Sequence, residues 1–221
     1  MKKYLLAGVF AIVGVCASGP IAHAGTLIPY PNPGTINPES YTFTATASGD
    51  IIGYLYSANA KDVDQIAMSV NAGPLGSFGI VNTSPVGTTF DFGSVVAGNV
   101  LTFVLQNTTE VAQFSSDPAS NADGNQHVYS AAYNNPGPFA ISGIPSGIFV
   151  AFEDRLGAPA NTGISVPSDF DYNDDTFVFT NVSTSTTPLP AALPLFASGL
   201  GALGLLARRR KRKASAAFAA A

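Results

Sequence analysis

The sequence is 221 residues long, carries a formal net charge of −4, and contains one cysteine and no tryptophan. Eight of its ten Lys and Arg residues lie at the two ends, so the stretch from Gly25 to Thr187 sets fourteen acids against Lys61 and Arg155 alone, a net −12. That balance excludes the basic footprint of a nucleic-acid or anionic-lipid partner and suits divalent cations.

Residues 1–24 have the plan of a secretory signal peptide. Lys2 and Lys3 form a charged start, Leu5 to Val15 an apolar middle, and Ala22-His23-Ala24 an A-x-A cleavage site. The apolar run is short for a retained membrane helix. Cys16 falls inside this segment, so the exported chain is expected to lack disulfides, thiolate metal sites and a cysteine nucleophile. What remains before the tail, about 160 residues, suffices for one domain held by its own core.

Residues 25–39 contain four prolines and read as an extended lead-in without helix. From Ser40 the pattern turns to strands. "SYTFTAT" alternates Tyr41, Phe43 and Ala45 with threonines, "DIIGYLYSA" reads as a buried strand, and "DQIAMSVNAG" alternates Ile66, Met68 and Val70 before a turn. Thr88 to Phe92 and Val100 to Gln106 add two strands. "QHVYSAAY", "SGIFVAFED" and "DTFVFTNV" add three more, the last with Phe177 and Phe179 on one face. No apolar pattern of helical period occurs before the tail. Residues 40–181 are therefore expected to form an all-β domain, an antiparallel β-sandwich or jelly roll.

Acidic residues gather between two of these strands. Glu153 and Asp154 end one, and Asp169, Asp171, Asn173, Asp174 and Asp175 precede the next, so seven oxygen-bearing side chains converge if the strands pair. Asp-x-Asp-x-Asn turns several oxygens into one loop, as Ca²⁺ requires. The spacing is not that of an EF-hand, since no glycine follows Asn173 and the distal Glu is missing. The same residue types also lock turns by bonding their own backbone, and both readings are open at this stage. A pair of carboxylates could serve a glycosidase, but no aromatic-lined cleft is signalled. His127, the one histidine beyond the signal, fits a hydrogen-bonded structural role better than a general base, and no Gly-x-Ser-x-Gly nucleophile elbow is present.

Three segments of this half, "NADGNQHVYSAAY", "FVAFEDRLG" and "SDFDYNDDTFVF", resemble a domain of unknown function found in exported bacterial proteins. The resemblance spans residues 115–181 and marks Asn121, Asp123, His127, Glu153, Asp154, Asp169, Asp171, Asn173 and Asp174, with Phe170 where a basic residue is common. It implies a site without implying an activity.

Residues 182–187, rich in Ser and Thr, read as a linker. The tail follows with three parts: Pro188-Leu189-Pro190, an uncharged stretch that can span as a helix over 190–207, and six bases from Arg208 to Lys213, including Arg208, Arg209 and Arg210. About 18 residues give ~27 Å of helix, barely the hydrocarbon thickness, and the bases would hold that end in the cytoplasm with 214–221. This tripartite terminus resembles the PEP-CTERM sorting region of Gram-negative bacteria, with Leu189 in place of the glutamate. The resemblance implies transient anchoring in the inner membrane, recognition by an exosortase-type membrane protease, and delivery to the cell surface or an exopolysaccharide-rich biofilm matrix. With the two terminal signals, an acidic cysteine-free middle and no catalytic set in the sequence, a non-enzymatic cargo is expected; a Ca²⁺-dependent carbohydrate-binding module is the alternative, and a polysaccharide hydrolase a third.

Overall fold

Alternating β-branched and aromatic residues bounded by Gly, Asn and Asp turns become short strands throughout the computed structural model, which describes residues 27–157 and 168–188. The expected signal peptide, and Leu189, Pro190, Arg208, Arg209 and Arg210 of the tail, lie outside the described residues. The strands are β1 (Glu39–Ala45), β2 (Gly49–Ala58), β3 (Asp64–Val70), β4 (Thr89–Val95), β5 (Val100–Asn107), β6 (Ala112–Ser115), β7 (Val128–Tyr133), β8 (Gly147–Phe152), β9 (Asp175–Phe179) and β10 (Val182–Pro188). Among the described residues the only helical element is the 3₁₀ turn Pro118–Ser120. The all-β, antiparallel class read from the sequence is the class observed.

Two sheets result. The first runs β10-β1-β5-β3, with β6 sharing the β1 edge of β5; the second runs β4-β2-β9-β8-β7. Alternation sends Tyr41, Phe43 and Ala45 of β1, Leu101, Phe103 and Leu105 of β5, and Ile66 and Met68 of β3 into one core with Phe177 and Phe179 of β9. Phe103 stacks on Phe179 across the sheets with ring centroids 4.0 Å apart. Gly53 of β2 is the floor of this aromatic layer. A Cβ there would come within 2.6 Å of the Phe92 ring and 2.9 Å of the Phe179 ring, so no larger residue fits.

A second apolar cluster covers the outer face of the second sheet. Tyr56, Tyr133, Phe149 and Val178 are roofed by Ile28 and Tyr30 of the proline-rich lead-in and by Tyr172. The lead-in is extended, yet its Tyr30 packs edge-on against Tyr172 at 4.6 Å. The packed unit thus begins upstream of Ser40.

The linker reading of 182–187 is corrected. Val182–Pro188 is strand β10, paired residue for residue with β1 from Ala45↔Val182 to Glu39↔Pro188. The reason is local. Asn181 adopts φ 60° and uses its side chain as the turn, accepting from Thr46 Oγ1 at 2.7 Å and Ala47 N at 2.9 Å. The chain then reverses onto the open edge of β1, where the β-branched Thr residues favour a strand and Val182 is buried. Truncation after Asn181 is therefore expected to cost about 3 kcal/mol or more, a fall of roughly 6–12 °C in melting temperature. Truncation after Pro188 should leave it unchanged. Thermal unfolding of the two truncations checks both.

Candidate functional site

The acidic residues between β8 and β9 do come together, but the structure sorts them into separate arrangements. Glu153 leaves β8 fully buried. Its carboxylate accepts the backbone N–H of Phe170 at 3.1 Å, the backbone N–H of Tyr172 and the hydroxyl of Ser168. Phe170 and Tyr172 both have positive φ, 49° and 54°, which turns their N–H groups toward this one acceptor. Tyr172 is then pinned at its far end, donating to Gln126 O at 2.7 Å and accepting from Asn37 N at 2.8 Å. Glu153 is thus a loop clamp. Burial, then the Asp174 charge, push its pKa up to about 7 against these donors.

Asp171 and Asn173 close a turn on each other. Asp171 accepts the Asn173 backbone N–H at 3.2 Å and its side-chain amide, and Asn173 Oδ1 accepts from Asn59 Nδ2 at 2.9 Å. Asp169 is exposed. Carboxylate oxygens of Glu153, Asp169 and Asp171 lie within 4.8 Å of one another, with the Glu153 oxygens already serving the backbone.

Asp154 and Asp175 form a different group, and their third member is Asp64, which the sequence reading did not select. One carboxylate oxygen of each lies within 4.8 Å of the others, and all three residues are at most 1 % exposed. Asp64 heads β3 in the first sheet; Asp175 heads β9, and Asp154 follows β8, in the second. Asp64 Oδ2 accepts from Asn82 Nδ2 at 3.0 Å. Asp64 Oδ1, Asp154 Oδ2 and both oxygens of Asp175 are buried with no hydrogen-bond donor. Burial pushes the pKa of Asp64 and Asp154 up to about 6, reinforced by neighbouring carboxylates. For the same reasons Asp174 rises to about 7 and Asp175 stands well above its ordinary value. Asp174 accepts the Asp154 N–H at 3.2 Å and offers its backbone carbonyl to Asn59 N at 2.7 Å.

Two groups hold the surroundings together. Arg155 pairs with Asp62 at 2.7 Å and reaches Asp154 Oδ1 at 3.7 Å. Asn107 at the end of β5 donates to Asp62 Oδ2 at 3.0 Å and to the Asp154 carbonyl at 3.1 Å. A recess of about 230 Å³, lined by Lys61, Arg155, Asp169 and Asp174, opens onto Asp154.

The remaining marked residues, Asn121, Asp123 and His127, organise the approach to β7. Asn121 is buried and bonds both backbone groups of Ser115 and the carbonyl of Asn125. Asp123 accepts His127 Nε2 at 3.1 Å, Asn125 N at 3.0 Å and Gly157 N at 2.9 Å. That last bond joins the segment before β7 to the segment after β8. The buried His127 ring rests 4.6 Å from Phe114, with Nδ1 lacking a donor or acceptor. Burial lowers the His127 pKa despite Asp123. Burial alone would raise Asp123, but the Asn125 and Gly157 N–H groups and His127 outweigh it and leave it lowered.

Glu153→Gln puts an amide N–H₂ where a backbone donor needs an acceptor, at about 1–3 kcal/mol for each buried group left unpaired. The variant should lose that stability in urea unfolding at pH 7. His127 gives a second expectation, from a sign. Its folded pKa lies below the unfolded value near 6.5, so as pH falls below that value the unfolded chain takes up a proton that the folded chain refuses. Stability carried by this group is present above pH ~6.5 and declines below it, by at most about 1.4 kcal/mol per unit. Between pH 7.5 and 5, wild type should therefore lose melting temperature more steeply than His127→Gln. Equal slopes would remove His127 from the acid response.

No protein-family model, curated protein or solved structure matches the chain, and its chemistry is therefore read from this geometry.

Proposed function

We propose that the chain is an exported, non-enzymatic β-sandwich of the bacterial cell envelope or extracellular matrix, sorted through its C-terminal tail. The observation that carries the non-enzymatic reading is the state of Glu153. A glycosidase needs one carboxyl free to protonate a leaving group and a second facing it across a cleft. Here the buried candidate acid is wrapped by two backbone N–H groups and a hydroxyl, and its role is to shape a loop. Signal peptide, acidic cysteine-free body and tripartite tail fit export followed by PEP-CTERM-type sorting, with an exosortase-type protease as processing partner and exopolysaccharide as the surrounding material.

A binding role is the second reading, favoured by the polar recess of about 230 Å³ beside Asp154. Lys61, Arg155, Asp169 and Asn173 on its walls offer both the donors and the acceptors that sugar hydroxyls require.

The strand β10 sets where the sorting test must cut. Removing residues 189–221 spares the β1–β10 pairing, so the truncated protein is expected to fold and be exported but to appear in the medium instead of the envelope or matrix fraction. Fractionation of the producing cell with an antibody to the domain reads this out. Unchanged retention would sink the sorting proposal and leave the fold untouched.

A further inference from the structure

We propose that Asp64, Asp154 and Asp175 bind one divalent cation, Ca²⁺, that ties the two sheets together at the acidic end of the fold. The proposal does not depend on how the chain is sorted.

The first observation is placement. The three carboxylates come from different elements, β3 of one sheet and the β8 end and β9 start of the other, yet one oxygen of each falls within a 4.8 Å set. Oxygens sharing a single Ca²⁺ at 2.3–2.6 Å are separated by at most about 5 Å, so this set falls within one ion's reach. The second, independent observation is the missing donors. Four carboxylate oxygens at this point are sealed from solvent with only other carboxylates beside them and no donor: Asp64 Oδ1, Asp154 Oδ2 and both oxygens of Asp175. Carboxylates elsewhere in this fold are satisfied; the buried Glu153 takes three donors and the half-buried Asp123 four: Asn125 N, Asn125 Nδ2, His127 Nε2 and Gly157 N. The cluster at the sheet junction is the exception, and burying an unpaired carboxylate is costly enough that it demands a proton or a cation.

The donor set selects the ion. Only carboxylate oxygens converge, without imidazole or thiolate, which favours a hard cation over zinc or copper. Mg²⁺ keeps most of its water and demands a near-ideal octahedron, whereas Ca²⁺ accepts irregular clusters of acidic oxygens. Three carboxylates leave a residual −1 around a divalent ion, which the Arg155 guanidinium, 3.7 Å from Asp154 Oδ1 and paired with Asp62, offsets in part. The recess that opens onto Asp154 provides the way in. The site differs from the Asp171-x-Asn173 loop, whose oxygens are engaged in their own turn.

The test uses the full chain, stripped with chelator and titrated at pH 7.5 with CaCl₂ or MgCl₂ alone, read by calorimetry and thermal melting. Expected is one Ca²⁺ per chain with a dissociation constant in the range ~10⁻⁶–10⁻³ M, and a melting temperature about 5 °C or more higher at hundredfold excess over it. Mg²⁺ should do markedly less. Asp64→Asn and Asp175→Asn should melt above the metal-free wild type, because each removes a repelling charge, and should not respond to Ca²⁺. Asp171→Asn should respond like wild type. The absence of both heat and a melting shift in wild type overturns the proposal and assigns the cluster to shared protons. Binding that survives Asp64→Asn but is lost in Asp171→Asn overturns it in favour of the loop.

Discussion

Strand β9 is buried along its whole length, and most of the molecule is arranged around that constraint. Phe177 and Phe179 face the core between the sheets, while Val178 faces the outer cluster roofed by Tyr30 and Tyr172. Thr176 solves its polarity by exchanging bonds with Ser57, donating to its carbonyl and accepting its N–H at 2.9 Å each. Asp175 has no such exchange. It stands in phase with Phe177 and Phe179, so the pleat that builds the core also drives a carboxylate into it. Asp64 stands in the same relation to Ile66 and Met68 on the opposite sheet. The two strands therefore meet acid to acid at one end, and the surrounding polar groups answer to that meeting.

Entry into β9 is controlled from Glu153. Left-handed backbone at Phe170 and Tyr172 costs roughly 1–2 kcal/mol per residue for side chains of this kind. Hydrogen bonds to a buried acceptor contribute about 0.5–1.5 kcal/mol each, and more as Glu153 ionises, so the N–H groups of these two residues offset much of the strain they impose. The clamp then sets the course of the chain through Asn173 and Asp174, whose carbonyl is held by Asn59 and Ala60 ahead of β3. A loop built this way delivers Asp175 to one position. Glu153 acts at a distance of several residues, through backbone geometry, on the placement of carboxylates it does not touch.

Much of this could be read from residue order. Period-two alternation identified nearly every strand of the two sheets, including the shared face of Phe177 and Phe179, because burial of one face per strand leaves that imprint. β6 and β10 escaped for different reasons. β6 is only four residues long, and β10 carries a Ser/Thr run whose strand character comes from the free edge of β1 and not from any apolar period. The outer cluster was illegible because Ile28 and Tyr30 lie among prolines, where no periodicity marks them as buried. At the site, the acids near β8 and β9 were visible as a cluster, but their division into clamp, turn and junction depends on which backbone groups reach each oxygen. Asp64 left one usable signal: it opens an alternating strand in the inward phase, as Asp175 does, and two inward-phase acids on different strands point to a meeting in the core.

The chain between Gly25 and Thr187 has no cysteine, so no disulfide joins its two sheets. Stacking of Phe103 on Phe179 secures the middle of the interface. The acidic end has instead a polar seam: Asn107 reaches from β5 to the Asp154 carbonyl, and Arg155 reaches back to Asp62 ahead of β3. These bonds run between the sheets and hold mutually repelling carboxylates close. Geometry that keeps acids together against their repulsion makes the seam responsive to whatever neutralises them, whether protons or a cation. A disulfide fixes such a junction permanently, whereas a carboxylate seam ties its strength to the pH and ion content of the medium.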